Sequence, residues 1–136
     1  MSKILRLTAF LVLLPALALA ADLRITDSSG AQVTVRNASI DYSGVLGSAV
    51  RESNGIRVQQ GDATVTVKWK DIQSLTIAAP REASRPSRLD VDVLLRNGRR
   101  VAAALSNPAD AKLRGRTDLG EYALGLDKVR AIETLR

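Results

Sequence analysis

The chain has 136 residues, 20 Lys plus Arg against 14 Asp plus Glu, a formal net charge of +6, no His, no Cys, one Trp, one Phe and two Tyr. Without imidazole or thiol there can be no His-based triad, no Cys nucleophile, no disulfide, no zinc site of the His or Cys kind and no haem held by those ligands. Carboxylate chemistry, a Ser or Thr nucleophile working without His, oxygen-only binding of a hard metal, and binding without catalysis all stay open.

At the start of the chain, Lys3 and Arg6 precede an apolar run over residues 7–19, and Ala18-Leu19-Ala20 closes it with the small-x-small pattern that a signal peptidase reads. The run is interrupted by Pro15 and is shorter than the roughly 20 residues a membrane-spanning helix needs. No Cys follows it to carry a lipid. The pattern predicts a cleaved signal peptide over residues 1–20, a periplasmic or secreted protein, and no transmembrane segment after cleavage. The leader carries Lys3 and Arg6 and no acid, so the exported part, residues 21–136, is only mildly basic. Its core must be built from Val, Leu, Ile and Ala around Tyr42, Trp69 and Tyr122, and at that size one domain is the economical arrangement.

Beyond the leader the apolar period is two, with β-branched enrichment: Leu23-x-Ile25, Val33-x-Val35, Ile56-x-Val58, Val65-x-Val67-x-Trp69, Val91-x-Val93-x-Leu95 and Tyr122-x-Leu124-x-Leu126. Such runs are half-buried strands. Turn signals separate them at Ser28-Ser29-Gly30, Gln60-Gly61-Asp62, Asn97-Gly98 and Asp118-Leu119-Gly120, and the Asn-Gly pair suits a type I′ turn with both residues at positive φ. The only helical signal is short: Asn107 as a cap, Pro108 in the first helical position, and a segment reaching about Lys112. The pattern therefore predicts an all-β protein.

Two stretches align with each other. Val65-x-Val67-x-Trp69-Lys70-Asp71-Ile72-x-x-Leu75 matches Tyr122-x-Leu124-x-Leu126-Asp127-Lys128-Val129-x-x-Ile132 in apolar pattern, and aligning Gly30 with Gly98 places Ile25 on Val93, Val33 on Val101 and Val35 on Ala103. The reading is a single domain made of two tandem pseudo-repeats, residues 21–79 and 89–136, joined by a Pro- and Arg-rich linker over residues 80–88. Each repeat runs hairpin, excursion, hairpin, one tight helical turn and a short final strand. Its expected inward set is Ile25, Val33, Val67, Trp69, Ile72, Leu75, Val93, Val101, Leu124, Leu126, Val129 and Ile132. That order of elements resembles SH3-like or Sm-like small barrels; the alternative is an antiparallel β-sandwich. Sm-like barrels often bind RNA, but strand-borne aromatics for base stacking are scarce here, and no nucleic-acid partner is expected.

Two segments stand out as binding candidates. The linker and the hairpin after it carry Arg81, Arg85, Arg88, Arg96, Arg99 and Arg100, which suit phosphate or carboxylate groups of an anionic envelope component. The other reading is a solvated linker beside a charged sheet edge, with Glu82, Asp90 and Asp92 at hand to neutralise part of the charge. The excursion over residues 39–55 carries Tyr42, Val45 and Leu46. It is either a partner-binding loop or an extra strand continuing through Ala38, Ile40 and Tyr42 after a bulge near Arg36-Asn37.

Catalytic patterns are missing: neither Gly-x-Ser-x-Gly, Ser-x-x-Lys nor a Gly-rich phosphate loop occurs. Asp90 with Asp92, and Glu52 with Asp41 or Asp62, are the only carboxylate sets worth naming. The expectation is an exported, noncatalytic envelope protein without a cofactor or metal, binding another protein or an anionic envelope polymer. The alternatives are a small hydrolase or hydrolase inhibitor acting on cell-wall or lipid substrates, and a structural subunit of a secretion or surface assembly engaged by strand addition.

Overall fold

The computed structural model describes residues 21–43, 49–80 and 86–135. The leader, Val45, Leu46, Arg81 and Arg85 lie outside them. The strands are β1 (Asp22–Asp27), β2 (Gln32–Ser43), β3 (Ala49–Glu52), β4 (Gly55–Gln60), β5 (Ala63–Lys68), β6 (Ile72–Ile77), β7 (Arg88–Leu95), β8 (Arg100–Ser106), β9 (Ala111–Thr117), β10 (Gly120–Gly125) and β11 (Val129–Leu135). Among the described residues three 3₁₀ turns, Trp69–Asp71, Pro108–Asp110 and Leu126–Lys128, stand between strands, and no α-helix occurs. The alternation read from the sequence is therefore a strand alternation, and the protein is all-β.

All strand pairs are antiparallel, and they form one curled sheet in the order β10-β9-β2-β1-β11-β6-β7-β8-β4-β5, with β3 on β2. This path divides into a β1 group (β10-β9-β2-β1-β11) and a β7 group (β6-β7-β8-β4-β5), joined where Ile132 of β11 faces Leu75 of β6. Each group takes its first hairpin from one half of the chain and its second hairpin and last strand from the other. Neither half closes on itself. The strand types alone could not show this exchange, because alternation says which face a residue takes and nothing about which strand lies beside it.

The registers of the two groups coincide. Ile25 faces Val33 on one side and Ile132 on the other, and Val93 faces Val101 and Leu75 in the same way. Arg36 faces Arg116 between β2 and β9, and Ala104 faces Gln59 between β8 and β4. Ser28 N donates to Lys128 O at 2.8 Å, and Arg96 N donates to Asp71 O at 3.0 Å.

Local chemistry modifies two sequence expectations. At Asn97-Gly98 only Gly98 has positive φ, at 91°. Leu95 N donates to Arg99 O at 2.9 Å and Gly98 N to Leu95 O at 2.9 Å, so the connection is a three-residue loop ending in left-handed glycine and not a type I′ turn. Asn97 spends its side chain here, its Oδ1 accepting Arg99 N at 2.9 Å. After Pro108 the helix is a single 3₁₀ turn ending at Asp110; Asn107 is left-handed at φ 47° and makes no side-chain cap. Strand β9 begins at once because Ala111 and Leu113 are buried while Lys112, Arg114 and Arg116 are exposed, a period of two that a helix cannot serve.

The bulge in β2 is present. Asn37 has φ 54°, the register shifts between Arg36 and Ser39, and the buried set passes from Val35 to Ala38 and Ile40. Asp22 Oδ1 accepts Asn37 N at 3.3 Å, and Ala21 O accepts Ala38 N at 2.9 Å, so the kinked backbone is satisfied. Through this bend one long strand serves both β1 and β9. The core holds Leu23, Ile25, Ile40, Ile56, Ile72, Leu75, Leu113, Leu126 and Ile132, each at most 1 % exposed, together with Trp69 at 3 %. Val33, Val67, Val101 and Leu124, expected to face inward, do so but stay half-buried.

Candidate functional site

The inner face of the β7 group is open. A cavity of about 660 Å³ lies between the β4–β5 hairpin and the β7–β8 hairpin, with Val58, Val65, Val67, Val93, Val101 and Ala103 on its apolar walls and Lys68, Asp71 and Arg96 near one end. A volume in this range is typical of ligand grooves. The opening follows from the sequence of the two strands that should have closed it. On β8 the middle of the cavity wall is Ala103, too short to fill the space, and β4 pairs with β8 only at Gln59↔Ala104. A second hollow of about 550 Å³, lined by Gln59, Asp90, Asp92 and Ala102 among others, lies along the alternate residues of β7 and β8; it shares Gln60 and Ala103 with the first. The β4–β8 seam is thus thin, with a hollow against each side of Ala103.

Beside the cavity lies β5, the end of the sheet path. Ala63, Thr64, Val65, Thr66 and Lys68 are all exposed, and among the described residues β5 pairs only with β4. Val65 is 37 % exposed, one of few large apolar side chains in that state. The sequence reading assigned Val65 and its neighbours to a half-buried strand. The run Ala63-Thr64-Val65-Thr66-Val67 was the available signal that this strand carries no charge before Lys68.

Of the arginines expected to form an anion patch, Arg81 and Arg85 lie outside the described residues, and the other four have separate surroundings. Arg96 is a structural tie: its Nε donates to Lys70 O at 3.0 Å and its Nη2 to Thr134 Oγ1 at 2.7 Å, while Thr134 Oγ1 donates to Ile72 O. Arg100 pairs with Asp92 at 2.9 Å, and Arg88 lies 4.0 Å from Asp90. Arg99 is exposed at the hairpin tip. The acids close in sequence thus do neutralise part of this charge.

A different basic surface, outside the arginine cluster of residues 81–100, lies on β9. On β9, Lys112-x-Arg114-x-Arg116 alternates to the outer face, where Arg36 stands opposite Arg116, and Lys112 opposite Asp41. Asp41 binds two guanidinium groups, Arg51 Nε at 2.8 Å and Arg114 Nε at 2.6 Å. Arg51 and then Arg114 hold its carboxyl below the ordinary aspartate value, against a desolvation that acts the other way. The strict period of two among the cations was the signal.

Tyr42, expected either in a partner loop or in an extra strand, lies in β2 and ties the two groups together. Its hydroxyl accepts Arg57 N at 2.9 Å, the Arg57 guanidinium lies 4.9 Å from the ring centroid, and burial pushes the phenol up to about 12. Of the carboxylate sets, Asp90 and Asp92 stand exposed on β7, Glu52 Oε2 accepts Asn54 N at 3.3 Å, and Asp62 is at the β4–β5 turn. Among the described residues no group of three or more acidic, His or Cys side chains could hold a metal ion, and no helix is long and apolar enough to cross a membrane. In comparisons with known proteins, the chain matches no family model and no curated protein.

Proposed function

We propose that this chain is an exported, noncatalytic envelope protein that binds a macromolecular partner, and that the partner is a protein whose apolar segment lies in the groove of the β7 group. The observation that carries the reading is the apolar cavity of about 660 Å³ beside the edge strand β5. Export rests on the charged start, the apolar run and the Ala18-Leu19-Ala20 site of the leader. We also propose that residues 21–79 and 89–136 are two copies of one structural unit with their strands exchanged. The coincident registers at Ile25 and Val93, and at Arg36 and Ala104, support this.

The test is a selection from displayed random peptides against residues 21–136. The reading expects apolar, extended peptides whose affinity falls at least tenfold with Ala103→Ile, which narrows the groove from β8, and is unchanged with Arg114→Gln. A second reading, an anionic envelope polymer as partner, is favoured by Lys112, Arg114 and Arg116 on one face. It expects acidic peptides or polyanions to be captured instead, with affinity lost on Arg114→Gln and falling steeply with salt.

A further inference from the structure

We propose that the free edge of β5 pairs with the β5 of a second copy of this chain, antiparallel, about a two-fold axis passing through Val65. This goes beyond the groove reading and does not depend on it. Strand β5 lacks the usual protections of an edge: it has no Pro and no bulge, its register with β4 runs without a shift from Gly55↔Lys68 to Gln60↔Ala63, and no charge occurs before Lys68.

The hydrogen-bonding parity of the edge follows from its turn. Gly61 and Asp62 form a two-residue connection with Gly61 at φ 62°, so Gln60 and Ala63 are the closing pair that exchanges both backbone bonds. By alternation Val65 and Val67 also turn their backbone groups to β4. Those of Thr64, Thr66 and Lys68 then point to the open edge.

Two such edges can meet only with open groups facing open groups, which restricts the register. With Val65 opposite Val65, Thr64 faces Thr66, Ala63 faces Val67, and Asp62 faces Lys68, each twice by symmetry. Opposite charges set across from each other are favourable and like charges are not. Moving the axis to Thr64 or Thr66 sets Lys68 against Gln60 or Thr64, so only the Val65 axis sets Lys68, the one charge of the strand, against an acid. The other end of the sheet path lacks this property, because β10 carries Glu121 and no cation, so no register with itself pairs opposite charges. Laying β10 of one copy on β5 of another, with Glu121 opposite Lys68, sets Asp127 against Asp62. The symmetric β5 pair closes at two copies, whereas a β5–β10 contact would propagate. In the dimer the sheet continues across the axis, and the two Val65 side chains stand between the two grooves.

The absence of cysteine makes the axis directly testable in residues 21–136. Opposed residues of a non-hydrogen-bonded antiparallel pair are about 4.5 Å apart at Cα, within disulfide range. Val65→Cys is expected to give a disulfide-linked dimer under mild oxidation. Thr64→Cys alone and Thr66→Cys alone are expected to stay unlinked, and their mixture to give the mixed dimer. Sedimentation of the unmodified chain should show a dimer. Thr66→Pro removes a donor from the open edge without touching the β4 ladder, and should give a cooperatively folded monomer whose melting temperature no longer rises with concentration. Asp62→Lys should raise the dimer dissociation constant about tenfold, and Asp62→Lys with Lys68→Asp should restore it. A monomer at millimolar concentration, open polymers, or Thr64→Cys linking as readily as Val65→Cys would overturn the proposal.

Discussion

On the inner face of the β1 group, Tyr122 and Leu124 of β10 pack against the core; at the matching positions of the β7 group stand Val65, which is exposed, and Val67. The seams differ in the same sense. Strand β9 runs along β2 through five paired residues, Arg36↔Arg116 and then Ser39↔Arg114 to Tyr42↔Ala111, whereas the ladder between β4 and β8 has the single pair Gln59↔Ala104. Large and small residues are also transposed: Val35 meets Gly115 in the β1 group, and Ala103 and Val58 line the cavity in the β7 group. One arrangement of strands is thus filled and sealed in one place and left open in the other, and the difference comes from a few side chains. A sheet that is tied in the β1 group can tolerate an open groove in the β7 group.

The largest expected effect tests whether the two groups stand or fall together. Trp69→Ala should cost about 3–5 kcal/mol, and Leu126→Ala, at the matching place in the β1 group, about 2–4 kcal/mol. Because β6 and β11 join the groups in the middle of the sheet, both variants should unfold in one transition in urea, followed by circular dichroism and, for Leu126→Ala, by Trp69 fluorescence. Two separated transitions would show that the groups are independent, and the tie through Tyr42 and Arg57 would then count for little.

Next in size is the transposed pair. A Cβ at Gly115 would overlap Val35 Cγ1 and lie 2.7 Å from Arg36 O, which is backbone and cannot swing aside, so Gly115→Ala should cost about 3 kcal/mol by thermal melting. Val58→Ala enlarges a space that is already open and should cost about 2 kcal/mol or less. If Val58→Ala proved the more damaging of the two, the picture of a sealed seam and a loose one would be reversed.

The sequence made most strands legible through their apolar period of two, though not β3 or the start of β9, and it placed the bend of β2 because the inward phase flips there between Val35 and Ala38. It also made the repeated pattern around Gly30 and Gly98 visible. Partner choice was not legible. Ile72 and Leu75 of β6 are equally suited to lie beside β1 or β7, and the observed pairing with β7 and β11 depends on contacts far apart in the chain. The groove was hidden for a related reason: Val65 and Tyr122 look alike as apolar strand residues, and only their volumes decide which inner face is filled. Arg96 shows the same limit for the basic cluster, since nothing in its sequence neighbourhood announces the bond to Thr134.

Exchanging the filling residues should sharpen the comparison more gently. Tyr122→Val removes half-buried ring area from the β1 group and should cost about 1–2 kcal/mol. Val65→Tyr adds a ring at an exposed position above the cavity, and its melting temperature should match or exceed that of the parent protein. Tyr122→Val should also change the alkaline end of the titration followed by tyrosine absorbance. Burial raises the phenol of Tyr122 above its ordinary value, with a smaller contribution from Asp27, so the parent protein releases that proton later than an exposed tyrosine does.

The smallest effect belongs to the ion cluster on the outer face of the β1 group. Asp41 has its folded-state value lowered by Arg51 and Arg114. A carboxylate held below its unfolded value, about 3.9, adds stability that is fully present above that pH and is lost as pH falls through the lowered folded value. Asp41→Asn removes this contribution while keeping the side chain's size, and should cost about 1 kcal/mol or less at pH 7, since both arginines are largely in solvent. The gap between parent and variant should narrow only below about pH 4, where Asp41 takes up its proton in the parent protein. It should also shrink in high salt at pH 7. Urea midpoints measured between pH 2 and 7 check this. A gap that persisted undiminished at pH 2 would mean that Asp41 acts through packing and backbone geometry beside the β2–β9 seam, and that the seam owes nothing to its charges.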